Sequence, residues 1–79
     1  MLLKLSRLKV GQHAVVRSVS GEGALRLRLL ELGFTPGTSL VLQKRAPFGD
    51  PLQIRLRGFD LTLRAADAAW IAVETEARW

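Results

Sequence analysis

Two short runs of alternating apolar and polar residues, Leu52 to Arg57 and Asp60 to Arg64, constrain the fold more than any other part of the sequence. Leucine or isoleucine occupies every second position of each run, which is the spacing of a β-strand with one buried face. If Gly58-Phe59 forms a type II′ loop between them, Leu56 pairs with Leu61 and every other pair also matches in polarity. A shift of one residue would bury the arginines, so the pattern predicts an antiparallel hairpin in this register.

The segment Leu25 to Leu32 is predicted to be a short α-helix, because it is rich in leucine and arginine and contains no β-branched residue. In a helix, Leu25, Leu29 and Leu32 form one apolar stripe, and Leu30 flanks the opposite side together with Leu27. The sequence predicts that this stripe packs against the remainder of the chain, since a helix this short is not stable alone.

The residues after the helix predict how it ends. Gly33 suits the left-handed position just past a helix, and Phe34 is then placed to pack against Leu29, as in a Schellman motif. The sequence Thr35-Pro36-Gly37-Thr38 has proline and glycine at the central positions of a type II turn. The chain is therefore predicted to reverse here into a second half that is rich in β-structure.

The other predicted elements are short. Leu5 and Leu8 share one side of a turn that enters the core. A strand is predicted from His13 to Ser20, with Val15, Arg17 and Val19 on one face. The later elements are, in chain order, a strand from Leu40 to Arg45, a helical turn at Ala65 to Ala69, a strand from Trp70 to Val73 and a frayed end from Glu74 to Trp79. Residues 1–79 thus read as one domain of mainly β class with short helices. A sheet this small needs closure to bury its apolar face, so we expect a small SH3-like β-barrel.

Composition restricts the possible functions. The chain has 79 residues, no cysteine and a net charge of +5. The lack of cysteine excludes disulfides and thiolate metal sites and fits the cytoplasm, and no apolar run is long enough to span a bilayer. The single histidine, His13, belongs to no cluster with metal-ligand spacing, and no serine has a histidine and acid arranged around it. We expect no metal site, no cofactor and no enzymatic activity.

Several short motifs occur in a recognisable order and spacing. They are Leu5, Leu8 and Gly11, then Arg28-Leu29, Leu32-Gly33 and Pro36-Gly37, then Ala46-Pro47 and Gly49-Asp50-Pro51, and finally Leu63-Arg64, Ala68, Ile71 and Val73. Over nearly its whole length the sequence resembles the FeoA family, small cytoplasmic accessory proteins of bacterial ferrous-iron uptake. Trp70 and Trp79 are bulkier than is usual there.

The resemblance implies an SH3-like fold and a role in assisting FeoB, the membrane iron transporter that carries a cytoplasmic GTP-binding region. It also implies that any membrane contact is made only through the transporter. Similar domains end iron-dependent repressors, which carry a helix-turn-helix segment that this chain lacks. The oligomeric state is left open.

A partner-binding surface is predicted from the residues themselves. Phe48 lies in a loop restricted by two prolines, where an exposed aromatic ring could anchor a partner. Arg26 and Arg28 on the helix could meet acidic groups, with Leu27 and Leu30 beside them. The alternative is that Phe48 folds back over the core, since phenylalanine is often buried.

The alternative functions are binding of nucleic acid by a small basic barrel and a repressor-type SH3-like interaction module. Arg55, Arg57 and Arg64 share one predicted face, which could contact phosphates, and Arg17 could lie near them. Only Phe59 could stack on bases there, whereas single-stranded nucleic acid is held on several aromatic rings. We therefore expect only weak, salt-sensitive binding of nucleic acid, without sequence selectivity.

Overall fold

The structure, a computed structural model, describes residues 1–75, which form one antiparallel sheet and two short α-helices. The strands lie in the order β1-β6-β2-β3-β4-β5, with β1 and β5 at the two edges of the sheet. The elements are β1 (Leu2–Lys4), a 3₁₀ helix (Leu5–Arg7), β2 (His13–Val19), α1 (Gly23–Leu32), β3 (Ser39–Arg45), β4 (Leu52–Leu56), β5 (Phe59–Leu63), α2 (Ala65–Ala68) and β6 (Ile71–Glu74). The predicted class, mainly β with short helices, is confirmed. The paired strands do not close into a continuous barrel.

The core is formed by the inner faces of the strands together with α1 and the 3₁₀ helix. Leu5 and Leu8 are fully buried at the 3₁₀ helix, as predicted from their spacing. The other large side chains that are fully buried are Val16, Leu29, Phe34, Leu42, Leu52, Ile54, Leu56, Ile71 and Val73. Every predicted inward position of β4 is therefore in the core.

Helix α1 ends as the sequence predicts. Gly33 follows it with a φ of 117°. The Phe34 amide donates to the Leu29 carbonyl over 3.2 Å, and the Gly33 amide donates to the Leu30 carbonyl over 3.0 Å. These are the two hydrogen bonds of a Schellman motif. Phe34 and Leu29 are both fully buried, so the helix end is fixed to the core.

The predicted apolar stripe of α1 is wrong at one position. Leu29 is buried and Leu25 packs against the core, but Leu32 is 45% exposed. Leu30, predicted on the opposite side, packs against the core instead. Phe34, directly after the turn at Gly33, is fully buried, so the chain enters the core after the helix rather than at Leu32.

Strand β2 contains a β-bulge that the sequence does not reveal. Its register against β6 shifts between Val16 and Ser18. Val16 is buried before the bulge, and Val19 is buried after it. The prediction that Val19 shares a face with Val15 is wrong, because the extra residue of a bulge inverts the alternation of the strand beyond it.

The hairpin of β4 and β5 is present, but its predicted register is wrong by two residues. Leu56 pairs with Phe59 and not with Leu61. The loop is Arg57-Gly58, with φ values of 52° and 81°. Positive φ at both central residues is what a type I′ turn requires, and the twist of that turn matches the twist of the strands. A shift of two residues keeps every side chain on its predicted face, so the apolar pattern alone could not distinguish the two registers.

The two ends of the described chain meet in the sheet. β1, which was not predicted, pairs with β6 from Leu2 with Glu74 to Lys4 with Ala72. The predicted fraying is wrong at Glu74, which belongs to β6, and at Thr75, which is buried. The rest of that predicted end, residues 76–79, lies outside the described residues. No helix within residues 1–75 is both long and apolar enough to cross a membrane.

Candidate partner-binding surface

The loop from Ala46 to Pro51 presents Phe48 to solvent. Its side chain is 99% exposed. The Gly49 amide donates to the Ala46 carbonyl over 2.7 Å, and the Ala46 amide donates to the Pro51 carbonyl over 3.1 Å. These bonds hold both ends of the loop while the ring projects outward. Of the two placements that the sequence left open for Phe48, the structure has the exposed one.

Asp50 connects this loop to α2. Its Oδ1 accepts a hydrogen bond from the amide of Ala65, the first residue of α2, over 2.8 Å. Its Oδ2 lies 3.9 Å from a guanidinium nitrogen of Arg64. A carboxylate at the start of a helix satisfies an amide that has no partner within the helix. The Gly49-Asp50-Pro51 motif thus positions the loop that carries Phe48.

The two arginines of α1 are both held by groups of the chain. The Arg26 Nε donates to the Val19 carbonyl over 3.1 Å. A guanidinium nitrogen of Arg28 donates to a carboxylate oxygen of Asp67 in α2 over 3.3 Å. Both arginines remain exposed. Since exposed ion pairs contribute little to stability, at most about 1 kcal/mol, Arg28 can exchange its contact with Asp67 for a partner's acidic group.

The two leucines of the predicted surface differ in their exposure to solvent. Leu27 is 57% exposed, whereas Leu30 is half-buried against the core. Both the helix and the Phe48 loop are linked to α2, the helix through Asp67 and the loop through Asp50. The structure therefore connects the two predicted parts through α2, by contacts that sequence reasoning missed because they join residues far apart in the chain.

Two of the three arginines of the predicted nucleic-acid face are paired with carboxylates, and the third is hydrogen-bonded to hydroxyls. Arg55 donates to Asp60 over 2.9 Å, and that hydrogen bond and charge raise the pKa of its guanidinium. Arg64 lies beside Asp50. Arg57 donates to the hydroxyls of Thr35 and Thr38 over 3.1 and 3.2 Å. Each arginine of the basic face that the sequence suggests thus has a polar contact within the chain.

An open groove of about 540 Å³ lies beside the first residues of β2, where the sequence indicated no site. His13, Arg17, Glu74 and Thr75 are among its lining residues. The Arg17 Nε donates to Glu74 over 2.6 Å and lowers the pKa of that carboxyl, first through the hydrogen bond and then through its charge. The buried Thr75 Oγ1 has no hydrogen-bond partner within the described residues. Across residues 1–75, the side chains of histidine, aspartate and glutamate nowhere gather in a group of three able to hold a metal ion.

Residues 3–75 match the family described as FeoA domain. The chain belongs to the FeoA domain family. The family match covers every strand and helix of the structure except the first residue of β1. The resemblance that the sequence motifs indicated is therefore confirmed.

Named relatives extend this result. The chain is 40% identical over 72 residues to the "Fe(2+) transport protein A/Fe(2+) transporter FeoB fusion protein" of Porphyromonas gingivalis, covering 91% of this chain but only 8% of that protein. The solution structure of the FeoA protein from Chlorobium tepidum is 43% identical, with a TM-score of 0.86 over 95% of this chain and 71% of that one.

A third relative bears on the fold. Stenotrophomonas maltophilia FeoA, solved in complex with zinc, is described as a "Unique Procaryotic SH3 Domain Protein" that possibly acts as a ferrous iron transport activating factor. It is 32% identical to this FeoA-family chain, with a TM-score of 0.79 over 94% of this chain and 89% of that one. The SH3-like fold that was expected from the sequence is thereby supported.

Proposed function

We propose that this protein is a cytoplasmic, non-enzymatic accessory of ferrous iron uptake that binds the cytoplasmic GTP-binding region of FeoB. The observation that carries the proposal is the Porphyromonas gingivalis relative, in which a domain 40% identical to this one is part of the same protein as the transporter. Domains joined in one protein in one organism often act as separate binding partners in another. Ferrous iron is then the cargo of the transporter, and this domain needs no resident metal for its role.

The proposed contact surface consists of Phe48, Arg26, Leu27, Arg28 and Leu30, with Phe48 as the anchor. A ring that is 99% exposed on a loop fixed by two hydrogen bonds can enter a pocket without losing contacts in the free protein. Aromatic anchors of this kind commonly contribute a large share of binding energy. Arg26 and Arg28 add positive charge, which favours an acidic partner surface and speeds association.

Binding to the purified GTP-binding region of FeoB tests the proposal by measuring the Kd and the association rate. Phe48→Ala should weaken binding by roughly thirtyfold, the equivalent of about 2 kcal/mol for an aromatic anchor. It should leave the midpoint of thermal unfolding almost unchanged, because the removed ring contacts solvent. Arg26→Glu should slow association, and the effect should shrink as salt is added.

Phe59→Ala is the matched control. Phe59 is also exposed, at 70%, but it lies in the hairpin of β4 and β5 and is outside the proposed surface. Equal losses of affinity for the two phenylalanine variants would reject Phe48 as the specific anchor. No binding of the unaltered protein to the GTP-binding region would reject the partner itself.

A further inference from the structure

The ion pairs of the structure leave the positive charge unevenly distributed. Four arginines are paired with carboxylates: Arg17 with Glu74, Arg28 with Asp67, Arg55 with Asp60 and Arg64 with Asp50. Within residues 1–75, the basic side chains outside these pairs are Lys4, Arg7, Lys9, Arg26, Lys44, Arg45 and Arg57. Five of these seven belong to the first ten residues or to the end of β3.

Those two segments are in direct contact. A guanidinium nitrogen of Arg45 donates to the carbonyls of Ser6 and Leu8, over 2.7 Å in each case. The Gly11 amide also donates to the Leu42 carbonyl over 2.7 Å. The segment that carries Arg7 and Lys9 therefore lies along β3, directly after Lys4 at the end of β1. We call the exposed set Lys4, Arg7 and Lys9, with the adjoining Arg45 guanidinium, the amino-terminal basic surface. Lys44 is not part of it, because successive residues of a strand face opposite sides.

Two exposed aliphatic side chains border this surface. Leu2 is 63% exposed, and it lies on the same face of β1 as Lys4 because alternate residues of a strand share a face. Val10, next to Lys9, is 58% exposed. Glu74, the cross-strand neighbour of Leu2, is bound by Arg17 at 2.6 Å, so its charge is compensated at this border.

We propose that the amino-terminal basic surface docks on anionic phospholipid membranes. Lysine and arginine would contact the phosphate headgroups, while Leu2 and Val10 enter the boundary of the acyl chains. Basic residues bordered by exposed aliphatic ones are the combination that holds proteins at a membrane surface. Nucleic acid is less well matched, because stacking on bases requires aromatic rings. Within residues 1–75, the exposed aromatic rings lie outside this surface, Phe59 in β5 and Phe48 and Trp70 in loops.

This docking goes beyond the proposed binding of FeoB, and it differs from the expectation that the membrane is contacted only through the transporter. It would hold the domain at the lipid surface independently of any protein partner. Each basic residue near an anionic membrane strengthens binding by roughly fivefold, and the attraction falls off within a Debye length. Removing three such charges should therefore weaken partitioning by roughly a hundredfold.

Vesicle co-sedimentation tests the proposal without any transporter present. The unaltered protein should bind vesicles of equal parts phosphatidylcholine and phosphatidylglycerol at physiological salt, and it should not bind pure phosphatidylcholine vesicles. The triple variant Lys4→Gln, Arg7→Gln, Lys9→Gln should lose roughly a hundredfold in affinity. Val10→Ser changes no charge. Tested alone, it should weaken binding by about fivefold relative to the unaltered protein, because a buried aliphatic group is lost.

The matched control removes three charges elsewhere: Arg55→Gln, Arg57→Gln, Arg64→Gln. It has the same net charge as the first triple variant and lacks only two exposed ion pairs and the hydrogen bonds of Arg57, so it should fold, as thermal unfolding of both triple variants would verify. Equal loss of binding in the two triple variants would overturn the proposal, since net charge alone would then explain it. Absence of binding to the anionic vesicles, or tighter binding to single-stranded RNA with the same dependence on Lys4, Arg7 and Lys9, would also overturn it.

Discussion

Substitution of Gly33 by alanine should be among the most destabilising single changes in the helix and turn region. A Cβ at this position would lie 2.8 Å from Cδ2 of Leu56, a side chain that is 1% exposed. Overpacking of this kind in a core costs about 1–3 kcal/mol. The φ of 117° adds a backbone cost of about 1–2 kcal/mol for any residue with a side chain. We expect Gly33→Ala to lower the free energy of unfolding by roughly 2–5 kcal/mol in total.

Gly37→Ala separates the two contributions. Gly37 has a φ of 90°, but a Cβ there would meet no atom within 4 Å, so only the backbone cost applies. Urea unfolding of the three proteins should therefore place Gly33→Ala below Gly37→Ala by about 1–3 kcal/mol. In thermal unfolding, each kcal/mol corresponds to a shift of roughly 4–8 °C for a domain of this size. Equal destabilisation by the two substitutions would refute the assigned contact with Leu56.

Two further predictions concern charge and metal. Arg17 lowers the pKa of the Glu74 carboxyl in the folded protein. The pair therefore stabilises the fold at pH values above the ordinary glutamate pKa of about 4.3, and this stabilisation is lost as the pH falls through the folded-state pKa. Arg17→Gln should therefore lower the unfolding midpoint at neutral pH and have a smaller effect in acid, and an effect that is constant with pH would contradict this assignment. A chelator should leave the unfolding midpoint unchanged, because the fold of residues 1–75 rests on its apolar core, and a large drop on chelation would show that metal contributes to folding.

Local sequence signals predicted the elements whose geometry is decided within a few residues. The end of α1 is the best example, because Gly33 and Phe34 form both hydrogen bonds of the motif with the helix immediately before them. The bulge in β2 was missed for the opposite reason. It is defined by pairing with β6, more than fifty residues later in the chain, and Val16 to Val19 carry no local mark of it.

The candidate site shows the same difference between geometry that is fixed within a few residues and geometry that depends on distant parts of the chain. The sequence predicted Phe48 as a partner anchor but left its burial open, because a six-residue loop can place a ring either in solvent or over the core. In the structure, the turn between Ala46 and Gly49 and the hydrogen bond from the Ala65 amide to Asp50 fix the loop with Phe48 exposed. The links from Arg28 to Asp67 and from Arg26 to the Val19 carbonyl were likewise beyond sequence reasoning, since they depend on how α1 lies against its neighbours.

The hairpin offers a direct test of the register that the apolar pattern could not decide. Arg57 has a φ of 52°, a conformation that asparagine adopts far more readily than other residues with side chains. Arg57→Asn and Arg57→Gln both remove the hydrogen bonds to Thr35 and Thr38, so the difference between the two variants reports on backbone conformation. In the observed type I′ turn, the asparagine variant should be more stable by roughly 0.5–1 kcal/mol, as measured by urea unfolding. If the loop were Gly58-Phe59, residue 57 would be an extended strand residue, where asparagine is disfavoured, and the order of the two variants would be reversed.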